Sequence, residues 1–379
     1  MTGALDGVRI VELAGIGPAP HGVQLLADLG AEVVRVDRPA AARGEDPTAA
    51  AGVGLARNRR SIAVDLKDPD GIAIVLDLLA GADVLVEGFR PGVAERLGLD
   101  PEVLVARDPR LIVARVTGFG QDGPLAPRAG HDLDYLALSG MLHAIGPADR
   151  PPPPPGALVA DFGGGGTFVA IGVLAALLER ARSGRGQVLD VAMIDGVASL
   201  SAFTRGLLSI GAWTTRRGAN LLDGGAPFYD CYRCADGGHV AVAALEPPFY
   251  VRLLEGLGLE PAVWPQWERE RWAGLADELA RRFATAPRDA WAERFADVDA
   301  CVVPVLDLAE APSHPHHVAR GTYLDAPGAP PAPAPRLSRT PGSVRRPAPR
   351  PGEHTDEVLA ELGRAAGDVA RLRERGVIA

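Results

Sequence analysis

The stretch VRIVELAGIGPAPHGVQLLADLGAEVVRVD (residues 8–37) sets the fold. Val8–Glu12 reads as a short apolar strand and VVRVD (33–37) as a second. Between them Leu25, Leu26 and Leu29 fall on one side of a helix, and Gly30 supplies the stop. Strand, helix and strand make a βαβ unit. Gly15, Gly17 and Asp37 invite a dinucleotide-binding reading. Against it, Pro20 replaces the third glycine, and Pro18 and Pro20 both lack the amide hydrogens that a pyrophosphate would use. What remains is a Rossmann-like half without a nicotinamide fingerprint.

The alternation continues downstream. Ser61–Leu66 is the next expected strand, followed by a helix over about 68–80, then strands in ADVLVEGF (82–89) and LIVARV (111–116). Strands alternating with helices predict an α/β domain, a mostly parallel sheet covered on both faces. Such sheets bind ligands at the carboxyl ends of their strands. Arg38, Lys67 and Arg90 each fall just after a strand. A shared polyanion explains three cations placed that way; a solvated surface is the plain alternative.

Two later segments carry candidate chemistry: GHDLDYLALSG (130–140) and LVADFGGGGTFVAIGVLAALLERAR (158–182). Asp161 stands where a helix N-cap belongs, and the four glycines after it would let a ligand reach backbone amides. From pattern alone Asp161 is a cap first and His131 a core histidine. Together they are also the parts needed to move a proton beside a developing oxyanion. Pro151–Pro155 reads as a rigid spacer. A strand, VLDVAM (188–193), and a helix over about 195–210 follow. Period-two alternation around Asp236-Gly237-Gly238 then signals a hairpin, and residues 246–300 are helical and hold four of the five tryptophans. The expected organisation is a large Rossmann-like domain over 1–195, a linker helix over 196–224, a smaller α+β domain over 225–315, and a return segment over 316–379. Within the last, 326–351 is a proline-studded arm and 356–375 an amphipathic helix.

A chain of 379 residues is too long for one ordinary core. Apolar content of 47% with 23% charged residues is globular composition, not disorder. The net charge of −9 argues against a nucleic-acid partner, so an anionic ligand must be met by local arginines. Three cysteines form no disulfide framework and fit a reducing compartment. The lone Cys231-x-x-Cys234 lacks the second pair of a zinc site, and a proline interrupts His314, His316 and His317, so no metal is expected. MTGALDG has no signal-peptide pattern and Phe162–Leu178 is short for a membrane span, which makes the cytoplasm the expected location and a membrane partner unexpected.

Several separate stretches carry a nearly full-length resemblance: VELAGIGPAPH (11–21), VVRVDRP (33–39), RNRRSIAVDLK (57–67), ADVLVEGFRPGVAERLGL (82–99), GFGQDGP (118–124), GHDLDYLALSGMLHAIG (130–146), LVADFGGG (158–165), RGANLLDGGAPFYDCY (217–232) and ALEPPFY (244–250). The sequence resembles the family III CoA-transferase group, and within it the α-methylacyl-CoA racemases. That resemblance implies an interlocked homodimer acting on an acyl-CoA, with no cofactor beyond the CoA of the substrate. It implies His131 and Asp161 as the acid/base pair and Glu246 as the carboxylate that pairs with the imidazole. Arg38, the stretch Val64, Asp65, Leu66 and Lys67, and Gly130, Asp132, Leu133, Asp134 and Tyr135 match segments that contact acyl-CoA, with Arg90 and Arg96 as candidates for the nucleotide phosphates. Asp134 stands where the family usually has Asn. Only Met1, Met141 and Met193 are available where relatives line an acyl groove with methionines.

The chemistry this implies is coherent. The hydrogen beside a thioester is acidic because its conjugate base spreads onto the carbonyl oxygen. Amides of Asp161, Phe162 and Gly163 are the expected oxyanion donors, each worth about 3 kcal/mol. One base removes the proton and another returns it on the opposite face; in the resembling enzymes the imidazole serves the S substrate and the aspartate the R substrate. The rival within the fold is a CoA transferase in which Asp161 is a nucleophile and forms an aspartyl-CoA thioester. A nicotinamide-dependent dehydrogenase is the rival from another class.

Overall fold

The computed structural model describes residues 3–46 and 54–379. The chain divides into two compact units, one of residues 1–139, 155–200 and 323–379, the other of 140–154 and 201–322.

The first unit is built on six parallel strands, β1 (Arg9–Leu13), β2 (Glu32–Asp37), β3 (Arg59–Ala63), β4 (Val84–Glu87), β5 (Ile112–Thr117) and β6 (Val188–Ala192), in the spatial order β3-β2-β1-β4-β5-β6. This is the doubly wound arrangement the alternation predicts. Successive strand residues point to opposite faces, and both faces are covered. Val11, Leu85 and Val113 join one core with Ile74, Leu359 and Ile378; Ile10, Val84 and Ile112 join the other with Val23, Leu26 and Val173. Burying each such side chain is worth about 1.5–3 kcal/mol, which is why these strands read as apolar runs.

Three elements depart from the sequence reading. β3 begins at Arg59, two residues before the expected start, because the Arg59 guanidinium finds a buried partner in Glu12. The single helix expected over 356–375 is two helices, Thr355–Glu361 and Ala366–Glu374, broken near Gly363 with φ 75°. The helix expected over 195–210 is likewise two pieces, Met193–Leu200 and Ala202–Ser209.

Leu158–Gly166 is a π-helix that runs into the α-helix Thr167–Ser183. The 26 residues together are long and apolar enough, by length and composition, to cross a membrane. Here Val169, Ala170, Val173 and Ala176 pack into the sheet core. The arm over 326–351 is extended, and Asn58 helps to hold it. Its Oδ1 accepts from the Arg345 and Arg346 amides at 2.6 and 3.1 Å, while its Nδ2 donates to Asp28 at 2.8 Å.

The second unit carries an antiparallel sheet, β7 (Tyr229–Arg233), β8 (His239–Ala243) and β9 (Val302–Pro304), with the expected turn between β7 and β8. The helices Pro247–Gly256, Trp272–Phe283 and Arg288–Phe295 complete an α+β unit. Its core is aromatic: Phe228 sits edge-on to Tyr250 and Trp272 at 5.3 and 5.5 Å. Trp272 and Trp291 bury without orphaned donors, because Trp272 Nε1 reaches the Gln266 carbonyl and Trp291 Nε1 the Phe283 carbonyl, both at 2.8 Å.

Candidate active site

The strand order reverses direction between β1 and β4, and the loops leaving their carboxyl ends splay apart there. Ala14–Gly17 after β1 and Gly88–Pro91 after β4 border a cleft of about 440 Å³ in the first unit. His131, Tyr135 and Asp161 line the same cleft, as do Arg38, Arg90 and Arg128.

The cleft floor is a buried charge network. Glu12 on β1 accepts from Arg35 Nη1 at 3.1 Å and from Arg59 Nε at 2.5 Å; Asp37 accepts from Arg35 Nε at 3.0 Å and from Ser61 Oγ at 2.7 Å. Two carboxylates face two guanidiniums, and Arg59 also donates to the Pro20 carbonyl at 2.6 Å. Charges this deep persist only when paired and hydrogen-bonded. Asp37 is therefore committed to protein partners rather than to a ribose. The sequence reading did not single out Glu12, Arg35 or Arg59. The signal was there: a charged residue inside an apolar parallel strand needs a counter-charge in a neighbouring strand.

Asp161 is not an N-cap, which corrects the sequence reading. It lies within the π-helix, and Gly166 precedes the α-helix that follows. The glycines serve contacts within the protein rather than an approach by ligand. A Cβ on Gly164 would lie 2.9 Å from the Val197 amide nitrogen, and one on Gly166 would lie 2.3 Å from His21 Nδ1. The helices Pro18–Asp28 and Met193–Leu200 can press against the Asp161 segment only because side chains are missing there. The amides expected to form an oxyanion hole are also engaged. Asp161 N–H donates to Asp132 Oδ2 at 2.8 Å, Phe162 N–H to the Ala157 carbonyl at 3.3 Å, and Gly163 lies inside the π-helix, whose amides bond five residues back.

The Asp161 side chain is half-buried, and its carboxyl is pushed up to about 6. Burial is the main cause and the negative charge of Asp132 the second; the nearby His131 pulls the other way. His131 caps the helix Asp132–Ser139: its carbonyl accepts from Asp134 N–H at 2.9 Å, and Asp134 Oδ2 accepts from His131 N–H at 2.9 Å. This is the reciprocal half of a capping box, so Asp134 is anchored to the backbone that carries the imidazole. Tyr135 donates its hydroxyl to the Gly130 carbonyl and packs edge-on to Phe119 at 4.9 Å. Its phenol is pushed up to about 12, chiefly by burial and then by Asp161 and Asp134.

The remaining expected contacts divide. Gly130, Tyr135, Arg38 and Arg90 line the cleft; Arg38 stands 3.6 Å from Asp46. Asp132 does not: its carboxylate is buried and turned inward, accepting from the Ala160 and Asp161 amides. Leu133 and Asp134 are exposed on the helix but do not line the cleft. Val64, Asp65, Leu66, Lys67 and Arg96 also lie outside its lining. Val64 is buried, donating to the Asp37 carbonyl at 2.8 Å, and Asp65 Oδ1 accepts from the Lys67 amide at 3.0 Å. Arg128 is a cleft residue that the sequence reading did not select, and of the three methionines it named, Met193 lines the cleft while Met1 lies outside the described residues. Glu246 belongs to the second unit, exposed at the N-terminus of Pro247–Gly256.

Comparison with known proteins agrees with this geometry. Residues 5–355 match CoA-transferase family III. The chain is 47% identical to an α-methylacyl-CoA racemase of Mus musculus over 379 residues, covering 99% of this chain and 97% of that protein. It is 43% identical to the Homo sapiens protein of the same name, again covering 99% and 97%. A crystal structure of a CAIB/BAIF family protein from Brucella suis superposes with a TM-score of 0.84 at 30% identity, covering 96% of this chain and 100% of the other. With its doubly wound sheet, its cleft at the strand reversal and a match over nearly its whole length, the chain belongs to CoA-transferase family III.

Proposed function

We propose that this chain interconverts the (2R) and (2S) forms of 2-methylacyl-CoA thioesters by proton transfer at C2, with His131 and Asp161 as the two bases. The observation that carries the reading is one cleft lined by an imidazole and by a carboxyl held near 6. A general base works best with a proton affinity near the operating pH, and each such group contributes roughly a hundred- to ten-thousand-fold. The racemases of mouse and human, so similar over nearly full length, support the same substrate class. The thioester itself activates the carbon, so the reading invokes no further cofactor. Arg38, Arg90 and Arg128 supply positive charge for the CoA phosphates in an otherwise acidic chain. A homodimer, and the pairing of Glu246 with the imidazole, belong to the same proposal; sedimentation at twice the 39.5 kDa chain mass tests the first.

The decisive experiment incubates one enantiomer of a 2-methylacyl-CoA in D₂O. Deuterium at C2 together with the other enantiomer supports the proposal, and unchanged substrate refutes it. His131→Ala should abolish inversion while leaving the circular dichroism spectrum intact. Transfer of CoA to a free carboxylic acid, with a trapped aspartyl-CoA adduct at Asp161, would favour the transferase chemistry instead.

A further inference from the structure

Asp132 is an odd residue for the position it occupies. It is 6% exposed, yet among the described residues it has no ion-pair partner, and its Oδ2 accepts two amide hydrogens, from Ala160 at 2.7 Å and Asp161 at 2.8 Å. A buried carboxylate satisfied by backbone donors is costly to place and strong once placed, since bonds to an ionised acceptor are about twice as strong as neutral ones. These two amides belong to the π-helix that carries Asp161, while Asp132 opens the helix capped by His131. One carboxylate thus ties the segment bearing one base to the segment bearing the other.

We infer that Asp132 is a positioning residue for the Asp161/His131 pair, fixing the Asp161 peptide through two amide hydrogen bonds and setting a negative charge beside its carboxylate. The inference rests on the racemase reading only for its kinetic arm. Other groups around the Asp161 segment are accounted for. His131 and Tyr135 flank it from the same helix, and His21 of Pro18–Asp28 packs on Phe162 with ring centres 5.0 Å apart. Burial keeps His21 below its usual proton affinity. Asp195 on Met193–Leu200 is exposed, and Asp190 on β6 accepts from the Gln121 amide at 3.0 Å. Asp132 is the carboxylate that acts on Asp161.

Two substitutions separate charge from geometry. Asp132→Asn keeps a carbonyl oxygen for the two amides and removes the charge; Asp132→Ala removes both. Direct titration of Asp161 is read first, by ¹³C NMR of carboxyl-labelled aspartate with Asp161→Asn as the assignment control, and it needs no turnover. The Asp161 midpoint is expected to fall below about 6 in Asp132→Asn. A midpoint equal to wild type overturns the inference whether or not the chain is a racemase. The kinetic arm reads kcat/KM against pH with the R substrate. The acid limb should move down with the midpoint in Asp132→Asn, and Asp132→Ala should lose about a hundredfold in kcat with little change in KM, as expected for a displaced base. Equal losses in both variants with an unmoved acid limb would make Asp132 a structural residue only.

Discussion

Asp161 is held in a state that opposes folding at neutral pH, and replacing it should expose that opposition. Its carboxyl stands at about 6 against an ordinary 3.8, chiefly because burial disfavours the ion. At 1.36 kcal/mol per tenfold change, that difference corresponds to about 3 kcal/mol. The side chain is only half-buried, so solvent screening reduces the expected figure to about 1–2 kcal/mol. The sign follows from linkage. An acid whose folded-state affinity for protons is raised carries no penalty below the unfolded value of 3.8. The penalty grows as pH rises through the interval and is complete above about 6. Asp161→Asn should therefore stabilise the protein by about 1–2 kcal/mol at pH 7.5, about half that at pH 5, and hardly at all near pH 4. For a chain of this size the gain amounts to about 1–4 °C in Tm. Thermal unfolding of both proteins in matched buffers at pH 5, 6 and 7.5 reads it. A variant no more stable at pH 7.5, or one whose advantage is the same at pH 5, would refute the reasoning. Loss of deuterium incorporation from the R substrate should accompany the stabilisation, since the uncharged amide cannot take a proton.

Other outcomes follow from particular contacts. Arg59→Met leaves Glu12 with one fewer partner in a fully buried site, and urea unfolding should show a loss of about 3–5 kcal/mol. Gly196→Ala puts a Cβ 1.9 Å from the Gly164 carbonyl oxygen. The two segments must move apart, so about 1–3 kcal/mol of stability should be lost, with inversion impaired at substrate saturation. Arg128→Ala should raise KM for an acyl-CoA about tenfold at unchanged kcat, because a charge on the phosphates binds ground state and transition state alike. The same variant should handle an acyl-pantetheine thioester as wild type does; an equal KM effect on that truncated substrate would place Arg128 elsewhere. In wild type, kcat/KM from the R substrate should fall below about pH 6, as Asp161 takes up a proton in the free enzyme.

Much of the fold was legible in order. Apolar runs at 8–12, 33–37, 82–89 and 111–116 lie on or beside β1, β2, β4 and β5, since strands buried on both faces must be apolar throughout. The start of β3 was not legible, because Arg59 reads as surface until Glu12 is brought against it. His131 and Asp161 were visible as residue types that can move protons. Their shared cleft was not, as the two are thirty positions apart and separated by a proline tract.

The sequence by itself determined the class of architecture and the inventory of reactive groups: strand and helix periods, prolines that spoil a nucleotide turn, and an imidazole and a carboxylate in recognisable settings. Tertiary structure alone decided what those groups can do. It placed Asp161 inside a π-helix instead of at a cap, spent the expected oxyanion amides on Asp132 and Ala157, and turned Asp132 inward. Local pattern records which hydrogen bonds a residue is able to make. Which of them it does make depends on the partners that folding brings within reach, and for the Asp161 amide that partner, Asp132, lies in a separate segment of the chain.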